Sequence, residues 1–124
     1  MLLNFVHFTA TTDTYSCDHR IVLSPGEEQT ITSPNYPDNY DSYSDITTCV
    51  AVEGDVGGNL YYQITDFAVE CCCDYLSING DAVVCDETPD GEIEVPSNEL
   101  TVTFTSDSSV VETGFNLRVW RAGR

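Results

Sequence analysis

Lysine is missing from this chain, and four arginines (Arg20, Arg118, Arg121 and Arg124) supply all of its basic side chains. Against 21 acidic residues they leave a formal net charge of −17. A field of that sign repels phosphate, which makes nucleic acid and anionic membrane poor partners. It attracts cations, either metal ions or the lysine and arginine side chains of another protein. Histidine is scarce too. His7 lies in an unpatterned N-terminal segment and His19 two residues after Cys17, so no hydrolase triad with a histidine held between nucleophile and acid is expected. No apolar run approaches the roughly 20 residues of a membrane-spanning helix. There is no N-x-[ST] sequon to carry an N-linked glycan, and no segment shows a helix-length apolar period.

Cysteine, by contrast, is plentiful: Cys17, Cys49, Cys71, Cys72, Cys73 and Cys85. An even number in a short chain points to disulfides and an oxidising, secreted or extracellular setting. Paired C-x-x-C ligand sets are lacking and both histidines are distant in sequence, which argues against structural zinc. The run Glu70-Cys71-Cys72-Cys73-Asp74 has acids on both sides and no histidine or lysine beside it, which disfavours a reactive thiolate. An enzyme is therefore not expected. With 124 residues, 41% of them hydrophobic, the chain makes one domain with a sizeable core. The start, "MLLNFVHFTATTDTYSC", has a short apolar stretch without a basic flank, so residues 1–16 are read as an extension or the remnant of a processed segment. Residues 122–124 are read as the beginning of a linker.

Short runs of alternating residues fill the rest. "HRIVLS", "EEQTITS", "TTCVAV", "NLYYQITDF", "DYLSI" and "DAVVC" each read as strands between turn residues. Asn79-Gly80 is a strong hairpin signal between two of them. In "NELTVTFTS", Leu100, Val102 and Phe104 alternate with threonines. In "GFNLRVWR", Phe115, Leu117 and Val119 share one face and Arg118 and Trp120 the other. The expectation is an all-β, two-sheet antiparallel β-sandwich of jelly-roll type.

Three stretches, "SPNYPDNY" at 33–40, "TDFAVECCCDYLSING" at 65–80 and "LTVTFTSDSSVVETGF" at 100–115, resemble in order and spacing the CUB domain, over residues 17 to 121. The resemblance implies an extracellular β-sandwich with bridges Cys17–Cys49 and Cys71–Cys85. Cys73 stands where the family commonly has tyrosine, so Cys73–Cys85 is an alternative, and Cys72 with either Cys71 or Cys73 is left to form an extra bridge. Ala51 and Asp86 replace a tryptophan and a glycine that are common in the family. A subset of the family binds calcium through a glutamate and two aspartates, which match Glu70, Asp74 and Asp107. Tyr40 matches a supporting tyrosine, and the carbonyls of Ser108 or Ser109 would add ligands. Calcium takes roughly six to eight oxygens, so carboxylates must converge, here from three loops, with carbonyls and water.

The resemblance further implies an interaction module in which the same acids hold the ion and meet a lysine or arginine of a partner protein. Such modules also accompany secreted proteases. The alternative reading is calcium-independent carbohydrate binding of spermadhesin type. Sulfated glycans would be repelled, and a neutral sugar would need exposed aromatics such as Tyr36, Tyr40, Tyr43, Tyr61, Tyr62 or Tyr75. A matrix module cross-linked through the surplus cysteines is a third reading.

Overall fold

In the computed structural model, which describes residues 17–53, 59–83, 91–108 and 110–123, nine strands form two sheets. β1 (His19–Leu23), β3 (Asp45–Val52), β8 (Glu99–Thr105), β5 (Tyr75–Ile78) and β6 (Asp81–Ala82) lie side by side in that order in the first. β2 (Glu28–Thr32), β9 (Gly114–Arg121), β4 (Leu60–Ala68) and β7 (Ile93–Val95) make the second. The expected two-sheet β-sandwich is thus present. Among the described residues every ladder is antiparallel except β1 with β3, which run parallel from His19 opposite Thr48 to Leu23 opposite Val52. The chain crosses to the second sheet as β2 before returning as β3, so a tight antiparallel hairpin between β1 and β3 is not available to it.

Alternation decides which side chains face inward. Leu100, Val102 and Phe104 of β8 and Phe115, Leu117 and Val119 of β9 are all buried, each contributing about 1.5–3 kcal/mol by leaving water. Arg118 and Trp120 lie on the outer face, where the guanidinium sits 4.3 Å from the indole centroid and Tyr61 stacks on the same ring. Arg118 also pairs with Glu28 at 2.9 Å. The inward phase of β9 ends on Arg121, a charged residue only 1% exposed. It is tolerated there because its Nη1 donates to the carbonyls of Leu23 and Glu53, tying β9 to the ends of β1 and β3.

β4 changes phase midway. Leu60, Tyr62 and Ile64 take the inward positions, a bulge follows between Ile64 and Asp66, and Phe67 then pairs with the inward Phe115. The extra residue delivers Phe67 and Val69 to the core and leaves Glu70 half-exposed beyond the strand end. At the tip of β5, Asn79 and Gly80 both have positive φ and close the two-residue hairpin expected there. "DAVVC" is regular only over Asp81–Ala82 among its described residues. β7, which was not among the strands read from the sequence, pairs with Leu60–Tyr62.

Candidate metal centre

One end of the sandwich is built by the segments entering and leaving five strands. Asp45 and Tyr75 both stand opposite Thr105 at the edge of the first sheet, and Ala68 stands opposite Gly114 in the second. Beyond those last rungs come Glu70 and Asp74 in the β4–β5 loop, Asp107 after β8, and Tyr40 before β3. Glu70 and Asp74 therefore share a single loop, which corrects the expectation that the three acids come from three loops. That loop is a tight turn in which the amides of Cys73 and Asp74 both donate to the Glu70 carbonyl, at 3.0 and 2.9 Å. Three residues lie between the two acids, and this turn brings their carboxylates back together.

Asp74 is 2% exposed, and both of its oxygens are engaged: Oδ1 accepts from the Asp107 amide at 2.9 Å and Oδ2 from the Tyr40 hydroxyl at 2.5 Å. The same hydroxyl accepts from the Glu70 amide at 3.2 Å. Tyr40 thus bridges the side chain of Asp74 and the backbone of Glu70. Burial first, and then the hydrogen bond to Asp74, hold its hydroxyl well above the ordinary tyrosine range, so it remains a donor throughout neutral pH. Its ring packs edge-on against Phe104 at 4.8 Å between centroids.

The neighbouring segments are bound to this tyrosine in turn. Ser33 of the "SPNYP" stretch is buried, its amide donates to the Phe115 carbonyl, and its Oγ accepts from the Phe115 amide. Gly114 lies directly over it, and the Tyr40 amide donates to the Glu112 carbonyl. Tyr36, which precedes a cis proline, donates to Asp66 on the outer side of β4. On the far side of the site the Ser106 hydroxyl donates to the Asp41 carbonyl, while the Tyr43 amide donates to the Asp107 carbonyl.

Carboxylate oxygens of Glu70, Asp74 and Asp107 lie within 4.8 Å of one another. Two oxygens on opposite sides of a calcium ion are about 4.6–5.2 Å apart, since each bond is about 2.3–2.6 Å. The group therefore fits calcium in both spacing and donor type. A cation also offsets the repulsion among three carboxylates held this close. Ser108 is exposed next to Asp107. Ser109, the other carbonyl expected to contribute, lies outside the described residues.

The cysteines divide into bridges of different kinds. Cys17–Cys49 links residues 32 apart and pins the start of β1 to β3; closing a loop of that size stabilises by about 3–4 kcal/mol in the chain-entropy account. Cys72 is bonded to Cys73, its immediate neighbour. That excludes the alternative Cys73–Cys85 pairing, because Cys73 is committed within the turn. Cys71 is also disulfide-bonded, while Cys85, its expected partner, lies outside the described residues. Labelling under denaturing, non-reducing conditions is expected to find no free thiol; recovery of two would contradict these pairings. The adjacency of Cys72 and Cys73 could be read in the sequence, but their bridge could not be chosen among the many pairings that six cysteines allow.

The tyrosines considered for sugar binding do not form one platform. Tyr40 is buried, Tyr62 packs against the core and Tyr61 stacks on Trp120. Tyr43, whose amide donates to the Asp107 carbonyl, and Tyr75, which follows Asp74, are exposed, as is Val110. Sequence reading weighs Tyr43 and Tyr75 only as aromatics for sugar binding and does not consider Val110. The signal available for Tyr75 and Val110 is their closeness in sequence to Asp74 and Asp107.

The described residues thus form a disulfide-bonded two-sheet β-sandwich with a carboxylate cluster among the loops at one end. The family model "CUB domain" matches residues 17–119, and the chain belongs to that family. It is 35% identical over 111 residues to Protein SpAN of Strongylocentrotus purpuratus, covering 80% of this chain and 17% of that protein. It is 30% identical over 121 residues to the zinc metalloproteinase nas-39 of Caenorhabditis elegans, covering 89% of this chain and 12% of that protein. The chain thus spans less than a fifth of either relative. Among solved structures, the MASP-1 CUB2 domain bound to Ca2+ shares the fold with a TM-score of 0.66 and 24% identity, covering 85% of this chain and 99% of that one.

Proposed function

We propose that this CUB domain binds calcium through Glu70, Asp74 and Asp107 and uses the ordered acidic loops to engage a lysine or arginine on a partner protein. The observation that carries the reading is the convergence of the three carboxylates within 4.8 Å at one end of the sandwich. The Ser108 carbonyl, and that of Ser109, would complete the oxygen shell. When bound, the ion supplies the positive charge that lets the acids stay together and holds the β4–β5 loop against the segment after β8. The calcium-bound state of the MASP-1 CUB2 domain supports the same reading here. Exposed Tyr43, whose amide donates to the Asp107 carbonyl, and exposed Tyr75, which follows Asp74, suit a protein interface, where aromatic anchors beside a desolvated charge pair carry most of the affinity. An accessory domain of a secreted protease is the setting that similarity to nas-39 supports.

Calcium titration with denaturant unfolding tests the metal. Native-state binding at roughly 100 times the dissociation constant should add about 2.7 kcal/mol of stability. Wild type is expected to gain it and Asp107→Ala to gain nothing. Equal gains in both would refute the assigned ligands.

A further inference from the structure

The Cys72–Cys73 bridge closes no stretch of chain, so unlike Cys17–Cys49 it adds little by restricting the unfolded state. Its effect is local, and the locality is the turn that carries Glu70. Cys72 is exposed and Cys73 half-buried, whereas Cys17 and Cys49 are both half-buried, so the vicinal bridge offers a reductant one open sulfur, as does the bridge of the exposed Cys71. Backbone hydrogen bonds hold the same turn alongside the bridge. The Cys73 and Asp74 amides donate to the Glu70 carbonyl, and the Tyr75 hydroxyl donates to the Cys72 carbonyl at 2.7 Å. Opening the bridge therefore frees two sulfurs while the backbone keeps them beside the same carboxylate. A carboxylate oxygen of Glu70 and the sulfurs of Cys72 and Cys73 lie within 4.8 Å of one another.

From this we infer that reduction of Cys72–Cys73 creates a second metal site, two thiolates and the Glu70 carboxylate, for a thiophilic divalent cation such as Zn2+ or Cd2+. The site is independent of the calcium reading except that both draw on Glu70. A dithiol reductant supplies two electrons and two protons to the bridge, giving two thiols and its own cyclic disulfide. The incoming M2+ then displaces the two thiol protons and forms two metal–sulfur bonds. Two thiolates, one carboxylate and a water make a four-coordinate set of the kind zinc accepts, and the sulfurs select against calcium.

The test is titration of the 124-residue chain with Cd2+ alone, before and after mild dithiol reduction, following the ultraviolet cadmium–thiolate charge-transfer band. Alkylation and mass spectrometry identify which cysteines have opened. The band is expected at one Cd2+ per chain in reduced wild type, at least tenfold weaker binding in Glu70→Gln, and no band in the doubly substituted Cys72→Ser/Cys73→Ser chain, which keeps every other cysteine. Wild type opened at Cys72 and Cys73 but without the band would overturn the proposal, as would an equal band in the double variant. Full-strength binding in Glu70→Gln would overturn the role of the carboxylate. Failure of calcium binding would leave all three outcomes unaffected, so the two proposals are judged separately.

Discussion

Gly114→Ala is expected to lose about 2–6 kcal/mol of stability, measured as a fall in the urea midpoint at unchanged slope. Two costs add. Gly114 has φ +91, a conformation that costs an alanine roughly 1–3 kcal/mol. Its new Cβ would also fall 1.8 Å from Ser33 Oγ, 2.6 Å from Ser33 Cβ and 3.2 Å from Tyr40 Cδ2, and overpacking of that kind costs about 1–3 kcal/mol more. Rotating the serine away offers little relief, because its Oγ holds the Phe115 amide. Gly26→Ala separates the two costs: φ there is +86, yet nothing lies within 4 Å of the added methyl. That variant should show the backbone cost alone. If Gly114→Ala proves no worse than Gly26→Ala, the joint between Ser33, Gly114 and Tyr40 does not constrain the fold as its geometry implies.

The same joint shows why distant motifs occur together in this chain. "SPNYP" and the "GF" at 114–115 are some 80 residues apart, yet Ser33 and Phe115 exchange two hydrogen bonds and Gly114 makes room for them. Local periodicity made the inward faces of β8 and β9 legible, because period-two burial is written directly into Leu100 to Phe104 and Phe115 to Val119. Asn79-Gly80 was legible for a similar reason: positive φ at two successive residues restricts what can stand there. The features that escaped depend on partners far along the chain. The parallel pairing of β1 with β3 follows from where β2 goes. The bulge in β4 shows only when Phe67 is set opposite Phe115. Arg121 is buried because two carbonyls on other strands wait for it. For the acidic group, the resemblance to the CUB domain pointed to Glu70, Asp74 and Asp107. The turn that places two of them on one loop rests on backbone hydrogen bonds that no spacing rule specifies.

Asp74→Asn is expected to remove calcium stabilisation and, in the presence of calcium, to raise the dissociation rate of a lysine-displaying peptide at least tenfold, a loss of about 1.4 kcal/mol or more. Asparagine keeps the size of the side chain and an oxygen for the Asp107 amide, while the Tyr40 hydroxyl can turn to accept from its NH2 group. The charge is therefore removed at the cost of the acceptor for the Tyr40 hydroxyl proton, a smaller disturbance than alanine, which would orphan both partners. Asp81 and Glu92 serve as the contrast. Both are exposed, and both lie away from the acidic end: Asp81 beyond the far end of β5, and Glu92 next to Ile93 of β7, level with the middle of β4 and close enough to Arg118 to act on its charge. Neutralising those two should mainly slow association and weaken its salt dependence, because a remote charge steers encounter without entering the contact. Surface binding of the peptide, with an acetyl-lysine version as control and with calcium or a chelator in the buffer, distinguishes the cases. Chelation should reproduce the Asp74→Asn dissociation rate in wild type and change nothing further in the variant. If the chelator leaves binding intact while Asp81→Asn/Glu92→Gln abolishes it, recognition resides in the general acidic surface and the carboxylate cluster has no part in the contact.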